Sequence, residues 1–219
     1  MTHLSHRQRI LDKLRAAQPE ALACPDAAGF YQPRTEDQAT RVERLMLNMK
    51  NAMAEVHRSS EAELGECLKR ICAEKQIGLL AVGPELIVDQ SLCSQLGQQT
   101  SLLPVTQCRT DQPALFDTVD AGLTLTHGGI AETGTLVLWS GEQSPRLLSL
   151  VPPVHIAILY ASRVVESLMD MMVREDWSAG LPTNVILISS PSKTADIQQT
   201  LAYGAHGPKQ LVVVLVEDR

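Results

Sequence analysis

The stretch Gly128-Gly129-Ile130-Ala131-Glu132-Thr133-Gly134-Thr135-Leu136-Val137-Leu138 sets two adjacent glycines, a lone carboxylate and a third glycine ahead of a continuous apolar run. Glycine accepts left-handed and crowded backbone, so the first half reads as a tight turn open to a ligand. The run after it reads as a buried strand. Glu132 is thereby delivered to a strand end, where α/β proteins tend to keep their sites. The glycines match neither the dinucleotide fingerprint G-x-G-x-x-G nor the phosphate loop G-x-x-x-x-G-K-[ST], so the chemistry has to be sought in the surrounding chain.

Working outward, Leu123, Leu125 and His127 alternate with Thr124 and Thr126, as a half-buried strand feeding into the motif would. Downstream, Arg146 to Leu150 predicts a short helix stopped by Pro152-Pro153, and His155 to Leu159 a strand. Ser162 is a candidate cap for a helix over Val164 to Val173. Val185 to Ser189 predicts a strand, Ala195 to Tyr203 a helix, and Leu211 to Val216 a final strand.

Upstream, Thr35-Glu36-Asp37-Gln38 has the form of a capping box, and Val42, Leu45, Met46, Met49, Met53 and Val56 recur at helical spacing. That predicts one long helix ending near Arg58, whose Met-rich stripe is either core or a partner-facing surface. Ser60-Glu61-Ala62-Glu63 opens a second helix closed by Gly78, and Leu79 to Val82 is a strand. Strand, helix and strand are expected between Pro84 and Asp120, with apolar pieces Leu86-Ile87-Val88 and Leu102-Leu103 around a helix over Ser91 to Leu96 and a helical turn near Ala114 to Val119. Strands rich in Val, Ile and Leu that alternate with helices define an α/β fold, a mainly parallel sheet with helices on both faces. Residues 1–34 form an N-terminal helical arm, with Ile10, Leu11 and Leu14 on one stripe, followed by a Pro- and Gly-containing linker with Phe30-Tyr31. Residues 35–219 form the domain.

At 219 residues the chain holds one generous domain with such an extension. A net charge of −6, with no basic cluster, argues against nucleic acid or an anionic membrane as the main partner. Aromatic residues at 3% supply no base-stacking platform. The longest apolar tract, Leu147 to Ala161, is broken by Pro152, Pro153 and His155 and is too short to span a bilayer. Five cysteines, Cys24, Cys67, Cys72, Cys93 and Cys108, have no C-x-x-C pair and no zinc spacing. With a polar start, Met1 to Ala16, they point to free thiols in a reducing cytoplasm.

Two further stretches carry candidate chemistry. Ile188-Ser189-Ser190-Pro191-Ser192-Lys193-Thr194-Ala195-Asp196 ends a strand in hydroxyls and a lysine at the start of an expected helix. It is either an anion site or a well-capped turn. Gly204-Ala205-His206-Gly207-Pro208-Lys209 makes a sharp connection in which His206 and Lys209 are either ligand contacts or structural. His155, inside an apolar run, reads as a satisfied core residue.

These stretches, together with Pro145-Arg146-Leu147-Leu148-Ser149-Leu150-Val151-Pro152-Pro153-Val154-His155, strongly resemble the LutC/YkgG family of LUD-domain proteins, the lactate utilisation protein C group. The resemblance covers roughly Thr35 to the C-terminus and is most specific from Gly128 onward. It implies the NagB/RpiA/CoA-transferase-like fold, shared with sugar-phosphate isomerases and glucosamine-phosphate deaminases. It also implies a role in oxidising L-lactate to pyruvate beside two companion subunits that carry iron-sulfur clusters. No cofactor is expected on this chain, which lacks cluster-ligand spacing.

The candidate catalytic residue is Glu132. Candidate ligand contacts are Gly128, Gly129, Thr133, Gly134, Thr135, Arg146, Ser190, Ser192, Lys193, Thr194, His206 and Lys209, and no metal ligand is nominated. On one reading the chain is a lactate-system subunit binding a small carboxylate or phosphate-bearing ligand, with Arg146 the better bidentate partner. On a second, it is a stand-alone CoA-transferase-like or sugar-phosphate-type enzyme with Glu132 as nucleophile or base. A third makes it a regulatory or scaffold module working through the Met-rich helix. Glu132 itself either faces a ligand or accepts hydrogen bonds that hold its own turn.

Overall fold

The computed structural model describes residues 6–17, 36–105, 112–142, 144–195, 201–204 and 206–218. The chain divides into two units, Met1–Pro33 and Arg34–Arg219. In the first, the described element is helix α1 (His6–Ala16), with Ile10 and Leu14 exposed. The Phe30-Tyr31 linker, the Thr35 cap, Cys24 and Cys108 lie outside the described residues.

The second unit runs, in order, α2 (Gln38–Asn51), β1 (Glu55–Ser60), α3 (Leu64–Glu74), β2 (Leu79–Val82), α4 (Pro84–Ile87), α5 (Gln90–Leu96), β3 (Ser101–Pro104), α6 (Gln112–Asp117) and β4 (Ala121–Leu125). It continues with β5 (Gly128–Ile130), β6 (Thr135–Ser140), a 3-10 turn Arg146–Ser149, β7 (Val154–Tyr160), a 3-10 turn Ala161–Arg163, β8 (Val164–Val165), α7 (Leu168–Arg174), β9 (Asn184–Ile188), β10 (Lys193–Ala195), β11 (Leu201–Tyr203) and β12 (Gln210–Glu217). Six strands form a wholly parallel sheet in the order β1-β12-β7-β4-β2-β3. The expected α/β class and parallel sheet are therefore present.

Strand alternation sorts the core into two layers. Ile156 and Ile158 of β7 and Val212, Val214 and Val216 of β12 face α3 and α5 through Leu68, Ile71, Leu92 and Leu96. Ala157, Leu159, Leu211, Val213 and Leu215 face the other way, against Val42, Leu45, Met46 and Met49 of α2 and Leu136 and Leu138 of β6. The second face is thus shared between a helix and a smaller four-stranded sheet, β8-β5-β6-β9, in which β6 runs antiparallel to β5 and β9.

Four local expectations are corrected, and the open choice for the Met-rich stripe is decided. α2 stops at Asn51, because Met53 turns left-handed at φ 70° and Glu55–Ser60 pairs with β12 as an edge strand. The Met-rich stripe is core: Val42, Leu45, Met46 and Met49 are buried, and only Met53 projects outward. Leu86 and Ile87 belong to α4 rather than to a strand. The helix over Val164 to Val173 shrinks to α7, capped by Ser167 in a capping box with Asp170, while Ser162 donates its N–H to Asp218 at 2.9 Å. The helix over Ala195 to Tyr203 is absent at both described ends, where β10 and β11 pair as an antiparallel hairpin.

Candidate functional site

The site is built where β9 ends. Ile188 leaves the small sheet, the chain passes through Ser189 and Ser190 to buried Pro191, and Lys193 opens the β10–β11 hairpin. Ser192 ties this segment to the loop before β12. Its N–H donates to Pro208 O at 2.8 Å, its carbonyl accepts from Gly204 N–H at 3.0 Å, and its Oγ accepts from His206 N–H at 3.2 Å. Gly204 has φ +80°, and a Cβ there would lie 2.3 Å from the Lys209 side chain, so glycine is required. Lys209 N–H then bonds Pro153 O at 2.8 Å, fixing the loop to the start of β7.

Between these segments lies a cleft of about 350 Å³. Ser190, Ser192, Lys193 and His206 contribute to its lining, together with Ser149, His155 and Leu211. It sits at the carboxyl end of β9 but beside the first residues of β7 and β12, not at the carboxyl-end crevice usual for parallel sheets. With paired strands β10 and β11 where a helix was expected, no helix N-terminus among the described residues serves an anion here. The Lys193 ammonium, the serine hydroxyls and His206 remain, a set suited to a small anion. Thr194 lies in β10, and its side chain is outside the described residues. Arg146 and Lys209 are exposed and do not line the cleft; the Lys209 stem instead covers Gly204.

The Gly128 stretch has a different structure from the turn expected of it. Gly128 and Gly129 are strand residues of β5, paired with Val137 and Leu136. Their lack of side chains serves close packing: a Cβ on Gly128 would lie 2.8 Å from Arg163 O, and one on Gly129 would lie 3.0 Å from Leu159 and 3.2 Å from Leu45. The turn comes later, at Ala131–Gly134, where Gly134 has φ +62° and would press a Cβ to 2.6 Å from Asn48. Asn48 Nδ2 donates to the carbonyls of Ala131 and Glu132 at 2.9 and 3.1 Å, and Glu132 N–H bonds Glu166 O at 3.0 Å.

Glu132 is exposed and does not line the cleft. A hydroxyl chain joins its turn to the cleft: Thr133 Oγ1 lies 2.6 Å from Thr135 Oγ1, which lies 2.7 Å from Ser189 Oγ on the cleft wall. Behind the turn, buried Glu166 is paired with Arg44 at 2.5 Å, and Arg44 also binds Glu36.

His155 is the core residue that the sequence suggests, but it is satisfied at only one ring nitrogen. It is fully buried, lines the cleft and contacts Thr124 Oγ1 through Nε2 at 2.8 Å, while its Nδ1 has no hydrogen-bond partner. Burial lowers its pKa to about 4, so the ring is neutral. A histidine followed by Ile-Ala-Ile-Leu looked like core, and the one available signal was Thr124 on the neighbouring strand. Among the described residues no group of three His, Cys, Asp or Glu side chains is placed to hold a metal ion, and no helix is long and apolar enough to cross a membrane.

Fold and cleft together define a parallel-sheet α/β protein with a cleft in which serines, Lys193 and two histidines stand beside apolar residues. Residues 42–216 match the LUD domain family, and the chain belongs to it. It is 33% identical to an uncharacterized protein of Neisseria meningitidis serogroup B, over 97% of this chain and 94% of that one. It is 25% identical to lactate utilization protein C of Bacillus velezensis over 99% of this chain and 98% of that one. A more local match, 40% identity over 46% of the chain and 45% of the relative, relates it to lactate utilization protein C of Halalkalibacterium halodurans. Among solved structures, a DUF162 family protein from Deinococcus radiodurans shares the fold, with a TM-score of 0.61 and 23% identity, over 83% of this chain and 99% of that one.

Proposed function

We propose that this chain is the subunit of an L-lactate utilisation system that binds a small carboxylate, while iron-sulfur companion subunits carry the electrons from lactate. The relatives named lactate utilization protein C support the system. The observation that carries the ligand is the cleft in which Ser190, Ser192, Lys193 and His206 converge. A short carboxylate needs one cation and two or three donors at its charged end, and those residue types supply them. The expected site of action is the cytoplasm, beside the companions.

Thermal-shift titration with lactate, pyruvate and acetate tests the reading, since a ligand of the native state raises stability with the logarithm of its concentration over Kd. The wild type is expected to shift with at least one of these acids. Lys193→Ala should weaken that response about ten-fold, the loss of one charge-assisted bond. Absence of a shift with every acid up to tens of millimolar, or an undiminished response in Lys193→Ala, overturns the assignment. Deleting the chain should also stop lactate-dependent electron transfer by the companions.

A further inference from the structure

We infer that His155 is a specificity-determining residue of the cleft: its Nδ1 pairs with a neutral hydroxyl or carbonyl oxygen of a short acid whose carboxylate is held at Lys193. The inference rests on the reading of the cleft as a carboxylate site and adds what the rest of the ligand must be.

Buried polar atoms in folded proteins are almost always paired, and a native exception calls for a function. Nδ1 of His155 is such an exception, on a ring with no exposed surface. The orientation of the ring is fixed at its other nitrogen, because Nε2 contacts Thr124 Oγ1 and Thr124 is not part of the cleft lining. His155 is among the residues that line the cleft, with Ser149 and Leu211. Nδ1 is therefore the nitrogen left for whatever the cleft takes up. Because the ring has no exposed surface, an arriving oxygen has to displace whatever covers it. Pairing then occurs away from water, where a single hydrogen bond discriminates best.

The chemistry of that contact is narrow. Burial keeps the imidazole uncharged, and the neighbouring floor is apolar at Leu211 and Ile188, so a second carboxylate would gain no counter-charge there. A neutral oxygen can be met in either sense. When Thr124 donates to Nε2, the proton sits on Nδ1 and is offered to a carbonyl. When Nε2–H donates to Thr124, Nδ1 presents a lone pair to a hydroxyl. One fixed pair of side chains thus accepts both a 2-hydroxy acid and the corresponding 2-oxo acid. It leaves an unsubstituted acid with Nδ1 unpaired, and a site built for a hydrogen bond rejects the analogue that lacks it.

The test compares lactate, pyruvate, propionate and malonate by calorimetric titration of the full chain, wild type and His155→Leu. It is accompanied by ¹⁵N NMR of the histidine ring nitrogens in the wild type, which does not depend on the variant folding. Lactate and pyruvate should bind about ten-fold tighter than propionate or malonate. Both should move the His155 Nδ1 resonance, in opposite tautomeric senses, while propionate leaves it in place. His155→Leu should bind lactate and pyruvate as the wild type binds propionate. Equal affinities with an unmoved His155 resonance overturn this inference and leave the carboxylate site standing. Failure of all four acids to bind overturns the site itself.

Discussion

The buried imidazole gives a prediction whose size follows from its surroundings. In the unfolded chain His155 has the ordinary pKa of 6.5, whereas in the native protein burial lowers it to about 4. Between those values the unfolded chain takes up a proton that the native one refuses, so stability is complete above pH 6.5 and declines as pH falls toward 4. The interval, at roughly 1.4 kcal/mol per pH unit, limits the total loss to about 3 kcal/mol, of which about 2 kcal/mol is felt at pH 5. Other groups titrate over the same range, so the quantity to measure is a difference. Urea unfolding of the wild type and of His155→Asn at pH 7.5, 6 and 5 should show the gap between them shifting by about 2 kcal/mol in favour of the variant on acidification. Asparagine keeps a polar group against Thr124 but cannot take up a proton. A gap that stays constant with pH, or moves in favour of the wild type, would mean that His155 is charged in the fold, and would refute the neutral-ring argument.

Two further perturbations test the frame around the cleft. Gly134→Ala introduces a side chain at φ +62° and 2.6 Å from Asn48, so a loss of about 2 kcal/mol is expected in urea unfolding. A change under about 0.5 kcal/mol would show that the turn yields. Met49→Glu places a carboxylate at a fully buried position of α2 and should abolish cooperative unfolding. A folded variant that merely lost its binding partners would instead restore the Met-rich stripe as an interface.

The parts of the fold legible in the sequence are those where local pattern and burial agree. Leu211 to Val216 and His155 to Leu159 are buried on both faces of a parallel sheet, and a continuous apolar run is what that environment selects. Where the two diverge, the reading fails. Val56 continues the helical spacing of Met49 and Met53, but the edge of β12 offers Glu55–Ser60 a full ladder of partners, and no glycine or proline marks the reversal at Met53. Lys193 to Tyr203 has no strand alternation in its sequence; Lys193–Ala195 and Leu201–Tyr203 pair, with the Gly204 N–H to Ser192 O bond closing the base of the ladder. Lys193 and His206 were nominated from sequence as either ligand contacts or turn residues, and the structure puts both in the lining of one cleft. His155 was not, since a ring with one unpaired nitrogen and a satisfied core histidine have the same neighbours in sequence.

The Gly128 stretch shows how a motif can matter to a site without lining it. Gly129 lets Leu159 and Leu45 pack directly on the β5 backbone, and Gly134 lets the turn sit on Asn48. These contacts set the spacing between the small sheet and the main one. β6 pairs with β9 so that Leu136 lies opposite Ile188, which brings Thr135 to Ser189 at the cleft wall. Closely packed interiors transmit displacement because they have no slack to absorb it. A methyl group added at Gly129 therefore moves β5, then β6, and through the Thr135–Ser189 contact the segment that carries Lys193. On this account the glycines hold the distance between two sheets, and the position of the Ser189–Lys193 segment at the cleft wall is the consequence.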